Sequence, residues 1–265
     1  MPRAKDIVVK PLESKMAREF VQRWHYSGKT YPKSSLHLGA FLGGRLVGVM
    51  QFGDPLDRSK VIGLVKDTKW HNMLELNRMA MIDDTPKNTE SRFISIAMKM
   101  IKKSYPSIEW VLSFSDGCQC GDGTIYRARG FVLTGIKKNT GLYEYNGEVF
   151  TAVGLDTSSK MRARFSSITG GTIVSCKDMI KYGATKLTGF QLRYIYFLNP
   201  AARQRLTVPV IPFSKIDEIG ASMYKGESIK RDTKATTSDQ LVGGGAIPTI
   251  TLHSPYAASK KTNEA

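Results

Sequence analysis

From residue 6 to 12 apolar and polar side chains alternate, a spacing that predicts a first strand. Over 13–26 the period lengthens, and Met16, Phe20, Val21 and Trp24 recur at helical intervals. Two apolar runs, 37–41 and 46–52, flank Gly43 and Gly44, a pairing that predicts a β-hairpin. A further strand is expected at 74–82. The loop 83–90 carries Pro86 and Asn88, and Asn88 or Thr89 can cap a helix over 91–103 whose apolar face is Phe93, Ile94, Ala97 and Ile101. A central strand at 110–114, a short helix at 123–129 and closing strands at 131–136 and 142–153 complete the regular part.

Beyond 151 the pattern loosens, yet 189–198 (GFQLRYIYFL) is again a strong strand, and 200–205 with 208–213 should pack onto the sheet. The order β, α, β, β, β, α, β, α, β, β is that of a single α+β domain over 1–225. Residues 226–265 turn to Ser, Thr, Lys and Gly without the apolar density for a core, and read as a flexible or partner-docked tail.

With 265 residues, 41% of them hydrophobic, the chain can bury a proper core. No apolar run approaches membrane-spanning length, and the basic start MPRAKDIVVK has no apolar leader region, so an intracellular site of action is expected. Cys118, Cys120 and Cys176 are too few for a disulfide framework. The Cys118-Gln119-Cys120 pair lacks a second pair for zinc and is expected to form a turn.

The formal charge of +16 changes the picture. Residues 226–265 hold five Lys/Arg and four Asp/Glu, so the excess belongs to the folded part. Between 160 and 215 ten basic residues meet only Asp178, interleaved with Phe165, Tyr182, Phe190, Tyr194, Tyr196 and Phe197. Cations beside aromatic faces suit a nucleic-acid surface, with Arg162, Arg164 and Arg193 as phosphate contacts; the alternative is a solvated basic face over core aromatics.

The stretch 112–131, LSFSDGCQCGDGTIYRARGF, is an apolar strand opening into an Asp-Gly-Cys loop and a short helix. Asp116 falls at the C-terminal end of a central strand, where open α/β sheets keep their ligands, although an Asx-turn would also place it there. IYRARGF resembles the Leu-Tyr-x-x-x-Gly-Phe sequence of GCN5-related N-acetyltransferases. That resemblance implies a mixed, mainly antiparallel central sheet flanked by helices, with an acyl-CoA in a splay between the fourth and fifth strands. Tyr126 then either protonates the departing thiolate or orients substrate, the alternative being a core tyrosine. The family's glycine-rich pyrophosphate loop is replaced here by Pro86–Arg92, where a helix N-terminus aided by Ser91 and Arg92 can hold phosphates.

RWHYSG (23–28), GVMQFG (48–53), ELNRMAM (75–81), ESRFISIAMK (90–99), SFSDGCQCGDGTIYRARGF (113–131) and GFQLRYIYFLNPAARQRLTVP (189–209) together resemble the Mom DNA-modification proteins of Mu-like phages, over about 7–226. The resemblance implies conversion of adenine in double-stranded DNA to a carbamoylmethyl form at its exocyclic amine, in the host cytoplasm, as protection from restriction. It also implies acetyl-CoA and iron.

The matching positions are His25, Tyr26, Arg78, Ser91, Asp116 and Tyr126. His25 is a base, an iron ligand or a helix cap; Tyr26 stacks on a flipped base or packs. Arg78, on a strand rich in Leu and Met, needs an anion such as Asp116 or a cofactor phosphate. Double-stranded DNA is the expected partner, with a second copy of the chain as a further candidate. The rival functions are acetylation of a protein or small amine, and non-catalytic DNA binding against restriction.

Overall fold

The computed structural model describes residues 2–224 and 227–229. The tail expected over 226–265 lies outside them apart from 227–229.

β1 (Val8–Pro11) leads into α1 (Ser14–Trp24), and then come β2 (Ser34–Leu42) and β3 (Arg45–Gly53). The hairpin turn is Gly43-Gly44, with φ of 57° and 82°, the left-handed pair that lets a two-residue turn follow the strand twist. After a single turn, α2 (Arg58–Val61), the chain forms β4 (Met73–Met81), α3 (Thr89–Ser104), β5 (Trp110–Asp116), α4 (Thr124–Arg127) and β6 (Val132–Lys138). The expected face of α3 is indeed buried: Phe93, Ile94, Ala97 and Ile101 pack on Leu74, Leu76 and Val111. On the other face of the sheet α1 sets Ala17 and Val21 over Val49 and Ala80, while Val61, Leu64 and Val65 cover Trp110, Leu112 and Ile195.

The 142–153 run does not close this sheet. It divides into β7 (Leu142–Tyr145), β8 (Glu148–Thr151) and the start of α5 (Ala152–Thr157). With α6 (Ser159–Thr169), α7 (Cys176–Lys181) and β9 (Thr185–Lys186) it forms a separate unit, a three-stranded sheet ordered β8-β7-β9 around Phe150, Leu155, Phe165, Ile173 and Met179. The main sheet is completed instead by β10 (Phe190–Phe197), in the order β1-β2-β3-β4-β5-β10-β6. β10 thus slots between β5 and β6, which fits its burial on both faces: Leu192, Tyr194 and Ile195 are all inaccessible. After α8 (Ser214–Glu218), the short pair β11 (Met223–Tyr224) and β12 (Glu227–Ser228) ends the described chain.

All neighbours in the main sheet are antiparallel except β4 and β5, joined by the α3 crossover. That parallel pairing lasts only from Met73↔Trp110 to Glu75↔Leu112. Just beyond it the β3–β4 ladder slips, so that Gln51 opposes Arg78 while Phe52 opposes Leu76, leaving Asn77 as an extra residue. A bulge of this kind bends its strand and increases its twist. β4 leaves β5 from there on, and the sheet opens at its centre.

Candidate functional site

The opened strands present backbone and side chains that a closed sheet would bury. At the end of β5 the chain turns around Asp116: its carboxylate accepts from the Cys118 amide at 2.9 Å and from Gln119 Nε2 at 2.9 Å. The Asx-turn reading of Asp116 therefore holds, and each oxygen keeps a further lone pair for a ligand. Cys118 and Cys120 do lie in this turn; burial, then the Asp116 charge, pushes the Cys118 thiol up to about 12, so it stays protonated. Farther along, buried Asp122 meets Arg127 at 3.5 Å and accepts from Thr124 at 3.0 Å, which fixes the start of α4.

On α4, Tyr126 points inward and packs at ring-centroid distances of 5.2 Å from Phe131 and 5.3 Å from Tyr194. Burial pushes its phenol up to about 12, against a smaller pull from the nearby Ser113 hydroxyl, which lacks a well-formed hydrogen bond of its own. Tyr126 holds its proton at neutral pH and can only give it. Both its core packing and its functional reading are compatible with this placement.

α1 ends opposite. His25 caps it, its amide bonded to the Val21 carbonyl at 2.9 Å. The Ser27 amide donates to His25 Nδ1 at 3.2 Å, and the Ser27 hydroxyl lies 2.8 Å from the same nitrogen. That places the ring proton on Nε2, by inference from the hydrogen-bond network. Burial, with the Arg78 charge second, lowers the His25 pKa to about 4, so the imidazole is neutral. Tyr26 is half exposed and stacks obliquely on it at 4.2 Å. Burial and then the Asp116 carboxylate raise the phenol's pKa; Cys120, Arg78 and Tyr126 also act on it. Although half the residue's surface is open, its hydroxyl therefore faces the parted strands.

Arg78 donates to the carbonyls of Lys29 at 2.9 Å and Asn77 at 2.6 Å, tying the α1–β2 loop to the bulge. Sequence reasoning missed its neighbour Glu75, the last residue of β4 paired to β5. Burial pushes the Glu75 carboxyl up to about 7, opposed by Asn77 and Arg78. Glu75 in turn acts on Tyr31 and Tyr126. The available signal was a lone acid in the apolar run MLELNRMAM.

Behind the sheet opening, a cavity of about 420 Å³ runs along the first turn of α3 and is lined by Met81, Asp83, Lys87, Glu90 and Ser91 among others. Burial, then Asp83, raises the pKa of Glu90. Arg129 donates to Ser91 Oγ at 3.1 Å, and its Nε is buried without a partner among the described residues. Arg92 reaches instead to the Lys5 carbonyl at 3.3 Å.

The structure thus gathers His25, Tyr26, Arg78, Asp116 and Tyr126 about the opening and sets Ser91 behind it. Arg162 and Arg164 belong to the separate unit. The first donates to the Leu155 and Asp156 carbonyls at the end of α5, and the second is paired with Glu148. Phe165 and Tyr194 are wholly buried, so they offer no face to a base. Arg193 lies on the main sheet, bonded to Thr134 Oγ1 at 3.1 Å and to the Thr134 carbonyl at 2.8 Å. Among the described residues no group of three or more His, Cys, Asp or Glu could hold a metal ion, and no helix is long and apolar enough to cross a membrane.

Among solved structures, the chain is similar to an IAA acetyltransferase from Bacillus cereus (12% identity, 72% of this chain and 99% of that one, TM-score 0.41). It is also similar to an acetyltransferase from Bacillus subtilis in complex with CoA (11% identity, 74% and 99%, TM-score 0.38). Methylcarbamoylase mom of Escherichia phage Mu is 38% identical over 204 residues, covering 77% of this chain and 80% of that protein. The family described as the Mom protein family matches residues 6–215, and with most of the chain so covered, it belongs to that family.

Proposed function

We propose that this protein is a DNA-modification enzyme that converts adenine in double-stranded DNA to its carbamoylmethyl form at the exocyclic amine, protecting phage DNA from host restriction. One observation carries this reading: in a chain of the Mom family, Asp116, Tyr126, Glu75, Arg78 and the His25-Tyr26 pair meet where β4 and β5 separate.

The adenine amine is a poor nucleophile, since its lone pair is delocalised into the ring, and within a duplex it is paired and stacked. The base must leave the helix at a cost of a few kcal/mol. Exposed Arg23 near the end of α1, with its guanidinium 5.2 Å from the Trp24 ring, and exposed Lys29 and Lys33 on the segment that follows, where Arg78 holds the Lys29 carbonyl, suit the flanking phosphates. Asp116 accepts a hydrogen from the amine. Glu75, with a pKa near 7, takes the proton as the nitrogen attacks, the match to ambient pH that general-base catalysis favours. For the acyl-transfer step alone, which would yield N-acetyladenine and free CoA thiol, Tyr126 protonates the departing thiolate and the Nε2–H of His25 donates to the developing oxyanion. The carbamoylmethyl product needs a nitrogen donor in a further step beyond these residues.

Acetyl-CoA fits as the donor of the two-carbon unit. The cavity at α3, Ser91 and the unpartnered Nε of Arg129 suit an anionic phosphate group at the N-terminus of a 16-residue helix. When bound, it supplies an activated thioester. A carbamoylmethyl group joins the amine to a CH2 and ends in an amide nitrogen, so acyl transfer alone does not create it. Iron does not fit these residues: His25 Nδ1 is held by Ser27, the Arg78 charge opposes a second cation, and among the described residues no group of three or more His, Cys, Asp or Glu could hold a metal ion. No step proposed for these side chains passes through a metal.

Acetylation of a protein or small amine would use the same opening but leaves the exposed Arg23, Lys29 and Lys33 without a task. The test is mass spectrometry of nucleosides from plasmid DNA of cells expressing the protein. A carbamoylmethyladenine peak supports the reading, and an unaltered adenine pool together with an acetylated protein or amine product would replace it.

A further inference from the structure

Phe114 breaks the burial pattern of the central strand. Val111, Leu112 and Ser113 of β5 are inaccessible, yet the Phe114 ring is 46% exposed. Alternation sets Leu112, Phe114 and Asp116 on one face. The cover formed by Val61, Leu64 and Val65 reaches Leu112 and goes no further. A strand interior exposes a phenylalanine at the cost of its transfer free energy, and here nothing among the described residues offsets it.

The neighbours of Phe114 are polar and arranged. Arg193 stands directly opposite it on β10, and Gln191 opposite Asp116. The Arg193 side chain crosses to β6, where it is pinned by Thr134 and lies over Gly135: a Cβ there would come 3.4 Å from Nη2, so the missing side chain leaves the guanidinium room to lie flat. Beyond Gly135, exposed Lys137 faces exposed Gln191. The face is therefore a shelf holding one aromatic ring and two cations, with a carboxylate two residues along the strand, about 7 Å away. That is comparable to the span of a purine. The same carboxylate acts on the Tyr26 phenol, which comes from the end of α1.

We infer that this shelf seats the target adenine once it has left the duplex, with Phe114 as its stacking platform, Arg193 at its edge and Asp116 at its exocyclic amine. The inference rests on the proposed DNA modification and deepens it by naming where the base lies. An aromatic face accepts any base, so Phe114 supplies affinity for the extruded base, and Asp116 supplies preference for one bearing an amine. Phosphate contacts elsewhere hold the duplex and are independent of this ring.

The test compares Phe114→Leu and Phe114→Tyr with wild type at matched expression. The readouts are the modified-adenine fraction in plasmid DNA, the melting temperature of each protein and its duplex affinity by fluorescence anisotropy. The expected result is a loss on the order of 10- to 100-fold with Leu, near-wild-type modification with Tyr, and unchanged melting temperature and duplex affinity. Equal modification by the Leu variant, or equal loss in both variants, would overturn the shelf. So would a fall in melting temperature with Leu, which would mean that Phe114 serves the stability of the fold. Wild-type protein that forms no modified adenine would overturn the functional reading itself, and the shelf with it.

Discussion

The opened centre of the main sheet and the inserted unit at 139–189 differ in how they treat polar groups. At the opening, charged and hydroxyl groups are drawn into the protein and their protonation shifts: Glu75 to about 7, His25 to about 4, Tyr126 to about 12. In the inserted unit the charges stay outside and satisfy each other or backbone carbonyls, as Arg164 does with Glu148 and Arg162 with Leu155 and Asp156. Its core is ordinary, built on Phe150, Phe165 and Met179. Net charge follows the same division. Residues 1–53 hold nine Lys/Arg against three acids, whereas 139–189 hold six against four. Displaced protonation costs stability and persists where function uses it. In the inserted unit burial raises only Tyr143 and Cys176, groups that are neutral in any case at pH 7, and its paired surface charge suggests a framework.

The sharpest break in this comparison comes from Asp116→Ala and Tyr126→Phe. Either should reduce modified adenine by about 100-fold or more, the scale expected on removing an acid–base group, with the fold intact by circular dichroism. Full modification by either variant would strike that residue from the site.

Next in size is Glu75→Gln, expected to lower the rate about 100-fold and to remove the pH dependence near 7. The wild-type rate should rise through pH about 7 as the base ionises. The sign for stability is opposite. The folded state holds the Glu75 proton more tightly than the unfolded chain, so stability is lost as pH rises from the ordinary carboxyl value of 4.5 through about 7. The Gln variant should thus gain melting temperature over wild type at pH 8 and little at pH 4. A parallel rate profile for both proteins would move the base elsewhere.

A smaller effect concerns His25, whose folded pKa is depressed from 6.5 to about 4. Its stabilising neutral form is present above 6.5 and lost as pH falls through that window. Between pH 7 and 5 this loss opposes the gain from Glu75, so it is read as a difference: His25→Gln should gain melting temperature relative to wild type as pH falls from 7 to 5.

How far these regions were legible in the sequence follows from what periodicity records. α3 showed its apolar face because Phe93, Ile94, Ala97 and Ile101 repeat locally, and the β2–β3 hairpin was marked by its glycine pair. Asp116 and Tyr126 could be found because strand end and helix start lie within one stretch. The partners of β10 could not, since pairing with β5 and β6 spans the whole insertion and leaves no local spacing. Glu75 was missed because its shift arises from burial at a bulge that a propensity pattern does not reveal. Counting charge over 160–215 also merged two bodies, so Arg162 and Arg164 were grouped with Arg193, although only the last shares the main sheet.

The smallest expected effect is Arg162→Ala with Arg164→Ala. The exposed Arg164–Glu148 pair contributes about 0.2–1 kcal/mol, and modification should stay within about twofold of wild type. If these arginines touch phosphates after all, the slope of log affinity against log salt will fall by roughly 0.9 for each phosphate no longer neutralised.

The central claim, that chemistry resides where β4 and β5 part and not in the inserted unit, is tested most directly by one set of nucleoside mass spectra. Plasmid DNA would be taken from cells expressing wild type, Asp116→Ala, and the Arg162→Ala, Arg164→Ala double variant. The account predicts carbamoylmethyladenine in the first and third and none in the second. Modified adenine persisting with Asp116→Ala, or vanishing only in the double arginine variant, would contradict it.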